Sequence, residues 1–303
     1  MKILVIGGTG FIGRYLCPFL ATGHQVIIMS RNSRAEESYL QNKANISYKQ
    51  GDITNREQVF AAMEGVDYVV NMSSTVIPST SNHDPIFDVQ SNLVGALNVL
   101  DAAVKYKIKK IVFISSGGTV YGEGSGKPFK EDDATNPICS YGVVKLAIEK
   151  YIQMYYHLHG LPYAILRVSN PFGFGQVEGK PLGVVSVFVD KILRNQTVEI
   201  WGDGTISRDF IYIEDVTDAI EKSLWTKFDA VLLNIGCGKP LSLNELLFKI
   251  SNILNVNPEV VYRSSRNFDV KATWLNIERA KNLIDWSPST SFEESIKKMA
   301  YYY

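Results

Sequence analysis

The chain has 303 residues, of which 46% are hydrophobic and 20% are charged, and this composition is typical of a globular protein with one or two domains. Its 31 basic residues balance its 31 acidic ones. A chain without net charge has no global field that would attract nucleic acid or an anionic membrane. We therefore expect a small-molecule ligand, with neither nucleic acid nor a membrane as partner.

The cysteines and the N-terminus point to a cytoplasmic protein. Cys17, Cys139 and Cys237 are widely separated and fit neither a disulfide framework nor a zinc pattern. We expect three reduced thiols and no metal site. The apolar run in MKILVIGG is too short for a signal peptide, and no stretch approaches the ~20 apolar residues of a membrane span.

Short apolar runs alternate with helical patterns over the first half of the chain. The runs are KILVI (2–6), QVIIMS (25–30), ISYKQGD (46–52), VDYVVNMS (66–73), KKIVFISS (109–116) and LPYAILRVS (161–169). Runs of this kind are typical of strands that are buried on both faces. The alternation predicts an α/β fold with a right-handed, doubly wound parallel sheet.

The alternation loosens from Asn170 onward, where loops containing Gly and Pro surround a helix near 184–195 and a final helical stretch. We expect a smaller C-terminal lobe there. The predicted boundaries give a main domain of residues 1–170 plus about 207–238. The second lobe would then comprise about 171–206 and 239–303.

Gly7, Gly10 and Gly13 follow the first strand and open the first helix, in the segment GGTGFIG. Glycines at such a junction let the backbone approach a pyrophosphate, whose charge then lies at the helix N-terminus. This context predicts a dinucleotide site in a Rossmann-type sheet.

Tyr141 and Lys145 in SYGVVK are four residues apart, so they share one face of a helix. A free tyrosine has a pKa near 10, which is too high for proton exchange at neutral pH. A neighbouring ammonium favours the phenolate, so we expect Lys145 to lower the pKa of Tyr141. The strand segment FISSGGTVYG ends with hydroxyl groups at the carboxyl edge of the sheet, where ligands of such folds bind.

Together with RVSNPFG, GDGTISRDFIYIEDV, LNIGCGKPLSLNEL and RSSRNFDVKATWLNIERAKNLIDWSP, these motifs resemble the extended short-chain dehydrogenases/reductases that act on nucleotide sugars. That family includes UDP-glucose 4-epimerases and 4-keto-hexose reductases, and the resemblance covers nearly the whole chain. It implies that the main domain binds the dinucleotide and the smaller lobe binds the nucleotide sugar.

The resemblance also implies roles for single residues. Lys145 would bind the nicotinamide ribose, and Tyr141 would exchange a proton with the C4 oxygen of the sugar. The other residues implied at the cofactor are Phe11 and Ile12 beside the glycines, Asp52 and Ile53 near the adenine, Met72 and Ser73 along the cofactor, and Asn92 beneath it.

Asn170, Arg208 and Arg266 would contact the diphosphate of the substrate, since a planar guanidinium suits phosphate oxygens. Arg208 has a second interpretation, a structural salt bridge to Asp209 or Asp215. A small residue, Thr273, stands where relatives restrict entry of bulky N-acetyl hexoses.

The catalytic strand departs from the family pattern at Gly117, where relatives usually have the hydroxyl that binds the C4 oxygen. Ser116 or Thr119 would take over this role, and the residues alone leave the choice open. The segment also lacks the threonine, aspartate and glutamate with which 4,6-dehydratases eliminate water, so dehydration is disfavoured.

A second departure concerns the end of the second strand, where NAD-binding relatives usually have an acidic residue for the adenosine ribose. Here Ser30 and Arg31 stand at that point, with Arg34 close behind. A hydroxyl and a guanidinium would bind a 2′-phosphate, which a carboxylate would repel. The stretch therefore favours NADP(H), although a surface arginine beside bound NAD is the alternative.

A preference for NADPH favours a 4-keto(-6-deoxy)hexose reductase, because a reductase consumes fresh cofactor in each turnover. A nucleotide-sugar 4-epimerase with tightly bound NAD is the alternative. A non-catalytic NADP-binding sensor is an alternative of another class, but a sensor has no need of a proton donor such as Tyr141.

The helices near 90–105 and 141–157 each have a broad apolar face, and relatives form dimers through such helices, so we expect a homodimer.

Overall fold

The computed structural model describes residues 1–31, 44–124, 126–176, 183–265 and 271–303. Strands and helices alternate in its first half. They are β1 (Lys2–Ile6), α1 (Phe11–Leu20), β2 (Gln25–Ser30), β3 (Ile46–Gln50), α2 (Arg56–Met63), β4 (Tyr68–Asn71), α3 (Pro85–Asp88), α4 (Gly95–Lys105), β5 (Lys110–Ser116), α5 (Ser140–His159) and β6 (Tyr163–Val168). A 3₁₀ turn (Ser81–His83) precedes α3, and a π-helical segment (Val89–Val94) joins α3 to α4.

The main sheet has seven parallel strands in the order β3, β2, β1, β4, β5, β6 and β11 (Ala230–Ile235). From β1 the chain winds outward to β3, and it then returns to the other side of β1 through β4. The strand order therefore reverses between β1 and β4, and in such sheets this reversal opens a ligand crevice at the carboxyl ends. The predicted doubly wound, Rossmann-type sheet is confirmed.

Alternate residues of each strand enter two separate apolar clusters, one on each face of the sheet. In β1, Ile3 and Val5 belong to the cluster that includes Leu16 of α1, whereas Leu4 and Ile6 belong to the other cluster. Successive side chains of a strand point to opposite faces. Because helices cover both faces, the strands have continuous apolar sequences.

The C-terminal half adds three small sheets to the edge of the main one. Its elements are β7 (Asn170–Phe172), α6 (Val184–Leu193), β8 (Val198–Trp201), β9 (Ser207–Arg208), β10 (Phe210–Tyr212), α7 (Ile213–Trp225), β12 (Leu241–Ser242), α8 (Leu243–Leu254), β13 (Val260–Arg263), β14 (Ala272–Thr273), α9 (Glu278–Ile284) and α10 (Phe292–Ala300). Strands β7 and β10 pair, as do β8 and β13, while β9 lies between β12 and β14. The boundaries given above for the two lobes stay a prediction. None of the helices in the described ranges is both long and apolar enough to span a bilayer.

A buried ion pair fastens α5 to the sheet. Arg167 of β6 donates through Nη2 to Glu149 Oε2 at 2.7 Å and through Nε to both carboxylate oxygens at 3.1 and 3.2 Å. The Ser115 hydroxyl donates to Glu149 Oε1 at 2.5 Å. Both charged side chains are almost fully buried, so each depends on the other for compensation.

We expect Arg167→Met to lower the free energy of unfolding by about 3–5 kcal/mol, because Glu149 would remain buried without its partner. Chemical denaturation measures this loss. The matched control is Arg263→Met, which removes an ion pair to Glu199 in which both side chains are largely exposed, and we expect no measurable loss there. Equal stability of the two variants would contradict the view that the buried pair of Arg167 and Glu149 stabilises the fold.

Candidate active site

The glycine loop connects β1 to α1 by a turn that excludes side chains. Gly7 has a φ of +79°, and a Cβ on Gly7 would lie 3.2 Å from Ser73 Cα in the loop after β4. A Cβ on Gly13 would lie 2.2 Å from the Gly8 carbonyl oxygen. The three glycines thus bring the start of α1 against the ends of β1 and β4.

The N-terminus of α1 is built to receive an anion. Its N-cap residue, Gly10, has no side chain with which to cap the helix. Phe11, Ile12 and Gly13 form the first turn, whose N–H groups have no acceptor within the helix. Those N–H groups and the helix dipole fit the pyrophosphate of a dinucleotide.

The end of β2 lies beside this loop. The hydroxyl groups of Ser30 and Thr9 are 3.0 Å apart, and the Ser30 carbonyl accepts the Gly51 N–H at 2.9 Å. Arg31 is exposed, and its carbonyl accepts a hydrogen bond from Gln50 Nε2. The structure thus places Ser30 and Arg31 at the carboxyl end of β2, beside the glycine loop. Arg34 lies outside the described residues.

Asp52 and Ile53 follow β3 at the same edge. Asp52 Oδ1 accepts the Thr54 N–H at 2.9 Å and the Thr54 hydroxyl at 2.8 Å, which closes a tight turn. Ile53 is buried, and a Cβ on Gly95 of α4 would lie 2.4 Å from its Cδ1. Both residues therefore lie at the carboxyl edge of the sheet, just after the strand that pairs with β2.

Met72, Ser73 and Asn92 lie across the strand-order reversal from Ser30. The Met72 N–H donates to the Ile6 carbonyl at 3.0 Å, and Ser73 Oγ donates to Asn71 Oδ1 at 2.6 Å. Asn92 is buried in the π-helical segment, and its Oδ1 accepts the Thr75 N–H at 3.0 Å. Asn92 therefore shapes the loop after β4.

Tyr141 and Lys145 lie one turn apart at the start of α5. Lys145 is buried, its Nζ donates to the Ile114 carbonyl at 2.9 Å, and it lies 5.6 Å from the centre of the half-buried Tyr141 ring. The ammonium is also 4.8 Å from the Phe113 ring centre. The helix and β5 thus set the pair at the carboxyl edge of the sheet.

Burial controls the protonation of this pair. It raises the pKa of Tyr141 above its ordinary value, and Cys139 and Asp88 raise it further. It also lowers the pKa of Lys145 to about 8, against the opposing effects of Asp88 and Glu149. The net pKa shift of Tyr141 is therefore upward, opposite in direction to the lowering expected from a neighbouring ammonium, because desolvation is the largest effect on this group.

The structure explains why Gly117 carries no hydroxyl. A Cβ there would lie 2.6 Å from Leu275 Cδ1 and 3.0 Å from the Arg167 carbonyl oxygen. Of the two candidate replacements, Ser116 is half-buried at the end of β5. Thr119 Oγ1 is buried without a hydrogen-bond partner in the described chain. The Thr119 carbonyl lies against Gly142, the residue that follows Tyr141.

Asn170, Arg208 and Thr273 meet around Asp209. Asn170 Nδ2 donates to the Asp209 carbonyl at 3.0 Å, and Arg208 pairs in register with Thr273 between β9 and β14. The Asp209 carboxylate accepts N–H groups of Cys237, Gly238 and Leu275, and the Asp215 carboxylate accepts hydrogen bonds from Ser289 and Thr290. Both carboxylates thus have other partners, which weakens the salt-bridge interpretation of Arg208. Arg266 lies outside the described residues.

Sequence reasoning missed several residues that shape this edge. Thr9 lies in the glycine loop, and this position could have suggested its contact with Ser30 at the end of β2. Leu275, Asp88 and Ser140 gave no local signal, because their partners are far away in the chain.

Comparison with known proteins agrees with this geometry. The model of the family described as "NAD dependent epimerase/dehydratase family" matches residues 3–236. The UDP-glucose 4-epimerase of Mycolicibacterium smegmatis is 30% identical over 303 residues, which cover 98% of this chain and 97% of that protein. The dTDP-4-dehydro-6-deoxyglucose reductase of Escherichia coli is 30% identical over 306 residues, with 98% and 96% covered.

Solved structures show the same similarity. The UDP-glucose 4-epimerase of Thermotoga maritima, solved with UDP-glucose, superposes with a TM-score of 0.94 at 32% identity and covers 100% of this chain and 98% of that one. The UDP-glucose 4-epimerase of Thermus thermophilus, solved with NAD, has a TM-score of 0.90 at 28% identity, with 99% and 98% covered.

Proposed function

Because the chain belongs to the NAD dependent epimerase/dehydratase family, we propose that it is a 4-epimerase of a nucleotide-activated hexose with tightly bound NAD. The observation that carries the proposal is the Tyr141 and Lys145 pair at the carboxyl edge of the sheet, beside the glycine loop. The similarity to UDP-glucose 4-epimerases over nearly the whole chain supports this reaction over the reductase that the sequence favoured.

The cofactor half of the crevice fits a nicotinamide dinucleotide. A side chain on Gly7 would press on the loop after β4, and one on Gly13 would collide with Gly8, so only glycine allows this close approach. The first turn of α1 would hold the pyrophosphate, Asp52 and Ile53 would lie by the adenine, and Lys145 would bind the nicotinamide ribose.

Tyr141 is the proton acceptor in the first half of the proposed reaction. Bound NAD supplies a hydride acceptor, and later a hydride donor, for C4 of the sugar. Tyr141 takes the proton of the C4 hydroxyl while the Lys145 ammonium stabilises the phenolate. Ser116, which is half-buried at the end of β5, or Thr119 would donate a hydrogen bond to the same oxygen.

The keto sugar then turns over within the site, and Tyr141 returns its proton to the C4 oxygen as the opposite face is reduced. The diphosphate has to stay fixed during this turn. Asn170 and Arg208, joined through Asp209, would hold it from the smaller lobe together with Arg266. Thr273 is buried next to Arg208, and a small side chain there would favour entry of a larger sugar substituent.

A 4-keto reductase that uses NADPH is the second candidate. The observation that favours it is the end of β2, where Ser30 and the exposed Arg31 replace a carboxylate. The similarity to an Escherichia coli dTDP-4-dehydro-6-deoxyglucose reductase supports it as well. In this reaction Tyr141 would start as a neutral phenol and protonate the C4 oxygen.

Denaturing the freshly purified protein and identifying the released nicotinamide by mass spectrometry separates the two candidates. We expect close to one NAD per chain, because an epimerase keeps its cofactor through the cycle. An empty protein that binds NADPH much more tightly than NADH would instead establish the reductase.

The pH dependence of kcat/KM provides an independent test. Oxidation needs a Tyr141 phenolate and a Lys145 ammonium together. Since burial raises the Tyr141 pKa and lowers that of Lys145 to about 8, the fraction in this state rises with pH up to about 8 and is then constant. Reduction needs a neutral phenol with the ammonium, so its rate would be constant at lower pH and fall above about 8.

Tyr141→Phe is the control for this profile, and it should abolish turnover across the whole pH range. Unchanged turnover in this variant would show that Tyr141 is not catalytic, and it would favour the non-catalytic NADP-binding sensor.

We also propose a homodimer formed through α5 and the 85–105 helical segment. Exposed apolar side chains line both, namely Ile86, Phe87, Val89, Val94, Val143, Tyr151, Met154 and Leu158. Those of α5 recur at helical spacing, and the two helical segments pack side by side. Such a face is wider than a monomer usually leaves open to water.

We expect a dimeric mass by light scattering at micromolar concentration, and a monomeric mass for the double variant Met154→Glu with Leu158→Glu. Phe248→Glu places the same charge at an exposed apolar position of α8 and should leave the dimer intact. A monomeric wild-type protein would exclude this interface.

A further inference from the structure

The start of α5 is capped by side chains from a distant part of the chain. The Ser140 N–H donates to Asn82 Oδ1 at 2.8 Å, and the Ser140 hydroxyl donates to Asp88 Oδ2 at 2.7 Å. The helix's own N-cap residue, Cys139, forms no side-chain cap. Tyr141 follows Ser140 directly, so the cap acts at the residue before the proposed proton acceptor.

Asp88 is a fully buried carboxylate. Its second oxygen, Oδ1, accepts a hydrogen bond from Asn92 Nδ2 at 2.8 Å. None of the ion pairs between described residues includes Asp88. Its compensation comes instead from these two donors, from the nearby Lys145 ammonium and from the positive end of the α5 dipole, and the first turn of α5 has no acidic residue of its own.

From Asn92 the contacts continue to the loop after β4. Asn92 Oδ1 accepts the Thr75 N–H, and Asn92 Nδ2 also lies 2.9 Å from the Thr75 hydroxyl. The Thr75 hydroxyl is 2.6 Å from Ser91 Oγ. This loop begins with Met72 and Ser73, against which Gly7 packs. One continuous set of hydrogen bonds therefore runs from Thr75, in the loop that Gly7 packs against, through Asn92 and Asp88 to the start of α5.

We propose that Asp88 is a positioning residue, which fixes the first turn of α5 and the Tyr141 phenol relative to the loop that faces the cofactor. The proposal rests on the proposed function in one respect, because it takes Tyr141 as the group that exchanges the proton. Asp88 itself acts through Ser140 and Asn92.

The charge of Asp88 supports this role. It raises the pKa values of both Tyr141 and Lys145, and so helps to keep the Lys145 ammonium protonated against desolvation. The other groups that raise these two pKa values are Cys139 at Tyr141 and Glu149 at Lys145. Among the described residues named as causes of these shifts, Asp88 is the one that acts on both members of the pair.

Ser140→Ala removes the bond to Asp88 and little else, because alanine is a good helix former at the first helical position. We expect kcat to fall on the order of tenfold, since small displacements of a catalytic group have effects of this size. The KM for the nucleotide sugar should stay close to that of the wild type, while the melting temperature should fall by a few degrees, because the buried Asp88 loses one of its two hydrogen-bond donors. Ser140→Thr keeps the hydroxyl and should restore kcat.

Ser223→Ala is the matched control, because it removes a buried helical hydroxyl that donates only within α7, to the Ala219 carbonyl. It should leave kcat unchanged. A kcat for Ser140→Ala within twofold of the wild type would overturn the proposal. An equal loss in Ser140→Thr would do so too, since the hydroxyl would then be irrelevant.

Hydrogen exchange gives a readout that needs no substrate. In the purified protein, Asp88→Asn and Ser140→Ala should both speed amide exchange at the start of α5 and leave the start of α7 unchanged. Unchanged exchange at α5 in both variants would contradict the positioning role. If the wild type turned over no nucleotide sugar, the proposed function would fail, whereas the exchange experiment would still decide the role of Asp88.

Discussion

The seating of α5 on the sheet is the constraint on which the rest of the site depends. Its residues Tyr141, Lys145 and Glu149 follow one another at four-residue intervals, so they lie on one face of the helix and face the sheet at increasing depth. The half-buried Tyr141 reaches the crevice, Lys145 bonds the end of β5, and Glu149 forms the buried ion pair with β6. A helix fixed at its inner turns can hold a phenol at its first turn within the small tolerance that proton transfer needs.

The same helix determines the electrostatics of the site. Moving the pair toward the protein interior disfavours both charged forms, which raises the pKa of Tyr141 and lowers that of Lys145 to about 8. Asp88 and Glu149 oppose this effect at Lys145. The two buried carboxylates, Asp88 and Glu149, therefore help to keep the Lys145 side chain protonated although it is removed from water.

Local sequence predicted the parts of the structure that local physics determines. The parallel sheet followed from apolar runs, and the glycine loop followed from its place between a strand and a helix. The strand ends were less accurate, since β3 stops at Gln50 and the expected strand extended to 52. What could not be predicted depends on distant partners. Leu275 fills the space at Gly117, and Asp88 bonds Ser140 across 52 positions of the chain. The direction of the Tyr141 pKa shift was missed because burial is a property of the folded chain.

The choice between epimerase and reductase depends on the end of β2 rather than on the catalytic helix. A tyrosine beside a lysine can take up or give off a proton, so the Tyr141 and Lys145 pair fits either direction of the proposed hydride transfer. At β2, the Ser30 hydroxyl lies against Thr9 and offers a neutral partner to a ribose hydroxyl as well as to a phosphate. Arg31 is exposed, and an exposed arginine contributes little unless a phosphate fixes its position. The absence of a carboxylate thus permits NADP without excluding NAD, and the similarity to two UDP-glucose 4-epimerases, one of them solved with NAD, gives the epimerase the stronger case.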